Sequence, residues 1–166
     1  MTIEELTEYA EKFLADKYGF KLAIPIERNN RLTRTLGQYI SNHRGQPLGI
    51  ELSGRLLDYG SEWAILDTLK HELIHYAVHC LGEDFNDGAD YFENELRKHG
   101  VGSSGSKQVG RYFLVECEEC GKYCETRFKS HVQENSGAIT RCCNAGFELV
   151  GEVIYDGIER REMLYS

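Results

Sequence analysis

The 166-residue sequence predicts an α+β fold: a small antiparallel sheet packed with helices, followed by a smaller β module. Helical periodicity is concentrated before residue 100, and strand-like runs dominate behind residue 110. Between them GVGSSGSKQ (100–108) is rich in Gly and Ser and lacks apolar periodicity, the composition of a linker. Five of the six cysteines fall within the 27 positions from Cys117 to Cys143, so the rear module is too small and too cysteine-rich to rest on a core alone.

Thr2 and Glu5 form a capping-box pattern, and Ile3, Leu6, Ala10, Phe13 and Leu14 recur at helical spacing. The first helix should therefore run to about Tyr18 and stop at Gly19. KLAIPIE (21–27) reads as a strand, which Pro25 confines to an edge or a bend. Residues 36–40 and 48–52 flank NHRGQP, the pattern of two paired strands around a turn. RLLDYG has short helical character. A long helix should follow from Ser61 to Leu81, with Trp63, Leu66, Leu69, Leu73, Ala77 and Leu81 as its buried stripe and Gly82 as its end. A further helix over Tyr91–Lys98 should close at Gly100. Behind the linker, YFLVEC, TRFKSHV and FELVGEVIY read as strands, and no internal repeat is visible.

Hydrophobic content of 41% and charged content of 28% are those of an ordinary soluble globular protein. No apolar run is long enough to span a membrane. MTIEELTEYAEKF is acidic and amphipathic, without the basic and apolar regions of a signal peptide, so the expected location is the cytoplasm. There, clustered cysteines argue for metal rather than disulfides. A net charge of −8, split at residue 107 into about −5 and about −3, provides no overall electrostatic footprint for nucleic acid. Cys80, apart from the cluster, reads as a core cysteine.

The chemistry centres on HELIHYAVHCLGEDFNDGADYF (71–92). His71 and His75 lie one turn apart on one helix face and can aim both rings at one point. Glu72 sits beside that point. This HExxH arrangement is that of a hydrolytic zinc site, with the carboxylate placed to take a proton from water. A third ligand must come from downstream, among His79, Glu83, Asp84, Asp87 and His99. Three ligands on consecutive turns of one straight helix converge poorly, which disfavours His79, and His99 lies at the far end of the next helix. Chain reversal after Gly82 favours Asp87. Tyr76 and Tyr91 flank the site in sequence, and both read as packing residues.

The run IELSGRLLDYGSEWAILDTLKHELIHY (50–76) resembles the SprT-like metalloprotease family, whose vertebrate relative is Spartan. The resemblance extends to RTLGQY (34–39), to the strand pair after it and to a C-terminal zinc ribbon. It implies a zincin-type domain over residues 1–101, a linker over 102–109 and a zinc-ribbon-like β module over 110–166. The family supplies a third histidine from a short motif opening the next helix. Asp87-Gly88-Ala89-Asp90-Tyr91 stands in its place, so the resemblance makes Asp87 the third ligand of a catalytic zinc. It also implies a cytoplasmic zinc-dependent peptidase with protein substrates, which in Spartan-type members are crosslinked to DNA.

Cys117-Glu118-Glu119-Cys120-Gly121 is a CxxCG knuckle whose two thiolates can share one structural zinc. Family ribbons carry a second, spaced pair, whereas this sequence reads RCCNAGFEL. The expected ligands are Cys117, Cys120 and one of Cys142 and Cys143, with the fourth from the other, from Cys124 or from His131. Two functions follow from these motifs. One is a zinc peptidase with Glu72 as general base. The other is a non-catalytic zinc-binding adaptor or nucleic-acid-associated protein, with Lys122, Arg127, Lys129 and Arg141 among Tyr123 and Phe128 as a single-strand platform on the C-terminal module.

Overall fold

The computed structural model of the protein describes residues 1–103 and 107–166, so residues 104–106 of the expected linker lie outside the described residues. The chain opens on α1 (Ile3–Tyr18), whose capping box forms in both directions: Glu5 N–H donates to Thr2 Oγ1, and Thr2 N–H donates to the Glu5 carboxylate. Gly19 ends it in the left-handed region at φ 70°, a conformation that glycine adopts without steric cost.

Three strands follow: β1 (Ile26–Asn29), β2 (Gly37–Ser41) and β3 (Pro47–Ser53), in the spatial order β1-β3-β2. β2 and β3 pair antiparallel, as the turn signal between them predicts. β1 pairs parallel to β3, so the sheet is mixed rather than wholly antiparallel. The hairpin keeps β2 against one edge of β3, and the connection over 30–36 carries the chain across the sheet from β1, leaving β1 on the other edge in the direction of β3. β1 also begins five residues later than the expected run. Pro25 has no N–H to contribute, and only its carbonyl, which accepts Ile50 N–H at 2.9 Å, joins the edge of the ladder.

After a short α2 (Gly54–Tyr59) comes α3 (Glu62–Cys80), capped by the Ser61 hydroxyl on Ala64 N–H. Residues 71–78 of α3 are all buried, so the helix has no solvent face through its middle turns. α1 packs on one side and α4 (Asp90–Lys98) on another, through Leu6, Ala10 and Leu14 and through Phe92 and Leu96. Burying a side chain such as Phe92 contributes about 2–3 kcal/mol. The expected stripe is right in its centre and wrong at its ends: Leu69, Leu73 and Ala77 are fully buried, but Trp63 is 51% and Leu81 45% exposed. Cys80 is likewise exposed rather than core, because the cover over α3 stops at Val78 and the last residues project into the turn before Gly82.

The rear sheet comprises β4 (Val109–Cys117), β5 (Tyr123–Thr126), β6 (Phe147–Asp156) and β7 (Arg160–Leu164), antiparallel in the order β5-β4-β6-β7. It rests on the front part: Val109 belongs to the common core, and Ser61 N–H donates to Asp156 O at 2.8 Å. The expected strand TRFKSHV is displaced. Cys117 N–H donates to Lys122 O and closes a tight turn, so pairing begins at Tyr123 and is over by Thr126. The Thr126 hydroxyl then bonds Phe128 N–H and the His131 ring, and residues Lys129–His131 form a short 3-10 turn. β7 has no apolar alternation to announce it, and all five of its residues are exposed. Among the described residues no helix is long and apolar enough to cross a membrane.

Candidate metal centres

α3 delivers His71 and His75 to the floor of a cleft of about 480 Å³, and the connection to α4 brings Asp87 over them. One Asp87 oxygen, Oδ1, lies 3.1 Å from His71 Nε2 and 3.3 Å from His75 Nε2. That connection is itself locally determined. Asp84 Oδ1 accepts from the backbone and side-chain amides of Asn86, an Asx turn, and Asn86 O accepts Ala89 N–H. Gly88 takes φ 84° just behind Asp87.

The contacts to backbone carbonyls place a proton on each Nδ1. His71 Nδ1 faces Gly102 O at 3.0 Å, and His75 Nδ1 faces Phe85 O at 2.5 Å. Carbonyl oxygens only accept, so each Nδ1 is the donor and each neutral ring presents a lone pair at Nε2. Burial holds the pKa of His75 below the ordinary histidine value, ahead of the opposing effect of the Phe85 carbonyl, and so favours its neutral form. Two lone pairs and a carboxylate oxygen thus face one another, an arrangement that a cation satisfies. Ligand atoms about 2.0–2.1 Å from a tetrahedral ion stand about 3.3 Å apart, which the observed spacings match. Phe92 stacks on His75 with ring centroids 3.9 Å apart and sits edge-on to His71 at 5.2 Å, walling the rings from behind.

Glu72 lines the same cleft and is 7% exposed. Burial, and then the charge of Asp87, push its carboxyl up to about 8, against the opposing pull of Tyr39 N–H and of the Lys107 ammonium. The β2 backbone comes so close that a Cβ on Gly37 would stand 2.9 Å from Thr68 Cγ2 and 3.3 Å from Glu72 Oε1; only glycine fits. Of the other downstream candidates Glu83 does not line the cleft, and the rest have other partners. His79 bonds the Tyr39 hydroxyl at 2.7 Å and stacks on Phe85; Asp84 builds the turn; His99 packs near Tyr18 and Glu95. Tyr76 is in the core with its hydroxyl on Ala23 N–H, and Tyr91 does not line the cleft.

In the rear module Cys117, Cys120, Cys142 and Cys143 bring their sulfurs within 4.8 Å of one another, a second group that could hold a metal ion. Adjacent Cys142 and Cys143 both reach it because the turn closed by Thr140 N–H on Ala145 O, with Asn144 at φ 52°, curls the chain around the sulfurs. Cys124 and His131 stay outside the group. The buried Thr140 hydroxyl, 3.3 Å from Cys117 Sγ, is the main reason that thiol is brought down to about 6, with the Cys120 backbone N–H adding to it. Cys143 is pushed up to about 12, first by its contact with Cys120 and then by burial.

Several contributors escaped the sequence reading. The Gly102 and Phe85 carbonyls leave no trace in side-chain identity. Phe92, Gly37, Lys107 and Thr140 act through contacts between distant segments, which residue identity does not signal.

Fold and site together define an α+β protein with a helix-borne His-His-Asp group and a separate four-thiol group, each able to hold a metal ion. The chain belongs to the SprT-like family, whose profile matches residues 3–102. It is 30% identical over 97 residues to a Protein SprT-like of Bacillus cereus, covering 54% of this chain and 61% of that one. It is 32% identical over 103 residues to a Protein SprT-like of Staphylococcus epidermidis, covering 61% and 62%. A Protein SprT-like of Bacillus anthracis is 28% identical over 129 residues, 72% of this chain and 80% of that one. The chain thus spans about three fifths of the length of the first two relatives. No solved structure matches it significantly.

Proposed function

We propose that this protein is a zinc-dependent peptidase acting on protein substrates. His71, His75 and Asp87 hold the catalytic zinc, and Cys117, Cys120, Cys142 and Cys143 hold a structural one. The observation that carries this reading is the convergence of two Nε2 lone pairs and Asp87 Oδ1 beside the buried Glu72. Zinc bound there supplies Lewis acidity toward a peptide carbonyl and lowers the pKa of water to about 7. Glu72, beside that site, would take a proton from the attacking water at its carboxylate and return it to the leaving amine nitrogen. Tyr39 N–H orients the Glu72 carboxylate. β2 is an edge strand of its sheet, and residues 34–39 line the cleft, so an extended peptide can add alongside it through main-chain hydrogen bonds.

A second observation favours a nucleic-acid-associated role, with or without hydrolysis. A cavity of about 360 Å³ between the front part and the rear sheet is lined by Arg55, Arg111 and Arg127 with Tyr59, Tyr112, Phe113 and Phe128, and no acidic side chain lines it. With Arg111 paired to Glu152, Arg55 and Arg127 supply the positive charge, which beside these rings suits a phosphate and a stacked base. Arg55 lines both this cavity and the metal cleft, which suits proteins bound or crosslinked to DNA as substrates.

The test is cleavage of an unfolded protein by zinc-loaded wild type and by Glu72→Gln, each with and without single-stranded DNA. The peptidase reading expects a loss of at least about 10³-fold in the variant with zinc retained. Cleavage that survives in Glu72→Gln overturns Glu72 as the general base, and its absence in zinc-loaded wild type leaves the adaptor reading.

A further inference from the structure

We propose that Lys107 and Asp67 form a positioning clamp for His71, holding residues 101–103 against α3 so that the His71 ring presents Nε2 to the metal. The proposal deepens the metal-site reading above and rests on it. Neither residue belongs to the ligand set, and neither carries a motif.

Asp67 lies one turn ahead of His71 on the same face of α3. Its side chain is 2% exposed, and that of Lys107 is 8% exposed, with Lys107 Nζ 2.5 Å from Asp67 Oδ2. The contact lies outside hydrogen-bond geometry, since Oδ2 has no hydrogen-bond partner, and it is an ion pair. Lysine and aspartate are among the residues least often fully buried, and a buried ion pair rarely beats a well-packed apolar pair in stability. Its position in this fold gives it a consequence instead.

Gly102 is held at both of its backbone groups. Its N–H donates to Asp67 Oδ1 at 3.3 Å, and its carbonyl accepts His71 Nδ1–H at 3.0 Å. The charge pair therefore fixes the carboxylate, the carboxylate fixes the Gly102 peptide, and that peptide fixes the tautomer and rotation of His71. Anchors on either side suit this role: Val101 and Val109 are both in the core, and Val101 N–H donates to Leu96 O at 2.9 Å. The Lys107 ammonium also stands 5.6 Å from the centroid of the Trp63 ring, which gives that half-exposed tryptophan a partner. His75 has a separate device, the Phe85 carbonyl in the turn before α4. The two imidazoles are thus oriented independently, one by the adjoining turn and one by a segment that leads into the rear sheet. Outer partners of metal-bound histidines commonly change metal affinity by about 10–100-fold.

The test uses the full chain in two measurements. The first is the histidine tautomer in the metal-free protein, from long-range proton–nitrogen NMR. The second is cobalt titration, in which the four-thiol group gives intense near-ultraviolet sulfur-to-metal bands and the His-His-Asp group only weak visible ones, so the two affinities are read separately. Lys107→Met keeps most of the apolar stem and removes the charge. Lys107→Met with Asp67→Asn removes both charges and keeps an acceptor for Gly102 N–H. The clamp expects Lys107→Met to mix the tautomers of His71 but not of His75, and to weaken cobalt at the His-His-Asp group about 10–100-fold with the four-thiol affinity unchanged. The double variant should recover most of both losses. An unchanged His71 tautomer and affinity in Lys107→Met, or equal weakening at both metal groups, overturns the clamp. Wild type that shows cobalt only in the thiol bands overturns the metal-site reading and removes the clamp's purpose, whereas the tautomer result needs no metal and separates the two failures.

Discussion

His71 and His75 project from a helix buried along residues 71–78, whereas Cys117, Cys120, Cys142 and Cys143 sit on two turns at the end of a thin sheet, with Cys120 and Cys142 exposed. In the first region apolar packing on α3 and backbone carbonyls on both Nδ1 atoms hold the ligand atoms in place. In the second the turns meet through the sulfurs of the four cysteines, the Cys117–Thr140 contact and Glu118 N–H on Gly146 O. The difference is one of causal order. At the helix the fold prepares the ligands, so the chain pays in advance for the geometry with a buried Glu72 and three facing acceptors. At the turns the proposed metal would hold the fold together.

Metal removal tests that order most directly and should give the largest effect. Structural zinc sites contribute on the order of 10 kcal/mol to the modules that they close. A strong chelator, or Cys120→Ser, should therefore abolish hydrogen-exchange protection in β5 and in the turns around 117–121 and 140–145, while α3 keeps its protection. Loss of protection along α3 to the same degree would erase the distinction.

Phe92→Ala attacks the other region. Removing a fully buried ring should cost about 3–5 kcal/mol, read as a shifted denaturant midpoint. Because Phe92 stacks on His75, metal affinity at the helix should fall with it, while the four-thiol affinity stays. A fall at both sites would show that the two regions are not independent.

Glu72 offers a pH test of the advance preparation. Its ordinary value is 4.5, and the folded metal-free protein holds it up to about 8. Between those values the folded state keeps a proton that the unfolded chain has lost, so stability falls as pH rises through this window. Glu72→Gln removes the titration. It should stabilise the metal-free protein by roughly 4 kcal/mol at pH 8 and by under about 1 kcal/mol at pH 5, measured by denaturation in chelator. Equal effects at both pH values would mean that the carboxylate carries no such burial cost.

The smallest effect belongs to a feature that touches neither site. Thr2→Ala removes the capping box of α1 and should cost about 1 kcal/mol with both metal affinities unchanged.

Legibility in the sequence follows the same division. The α1 caps, the extent of α3 and the common face of His71 and His75 were readable because a helix relates residues three and four apart by its own geometry. The ends of the α3 stripe were not, since exposure at Trp63, Cys80 and Leu81 depends on where neighbouring elements stop. β7 was missed because an exposed, charged strand has no alternation, and its pairing to β6 is a tertiary fact. β1 was placed too early because an apolar run marks an extended chain but not where its hydrogen bonds begin.

Taken alone, the sequence determined the local chemistry: which residues share a helix face, where helices start and stop, and which His and Cys side chains are candidates to hold a metal ion. Tertiary structure decided the rest. It turned β1 parallel to β3, seated Asp87 Oδ1 between the two imidazoles, gathered Cys142 and Cys143 with the CxxCG pair, and set each histidine tautomer through a carbonyl from another segment. The physical reason is that hydrogen bonds to backbone groups and the burial of charge depend on where distant peptide units come to rest, and neither is encoded in the identity of the residues that receive them.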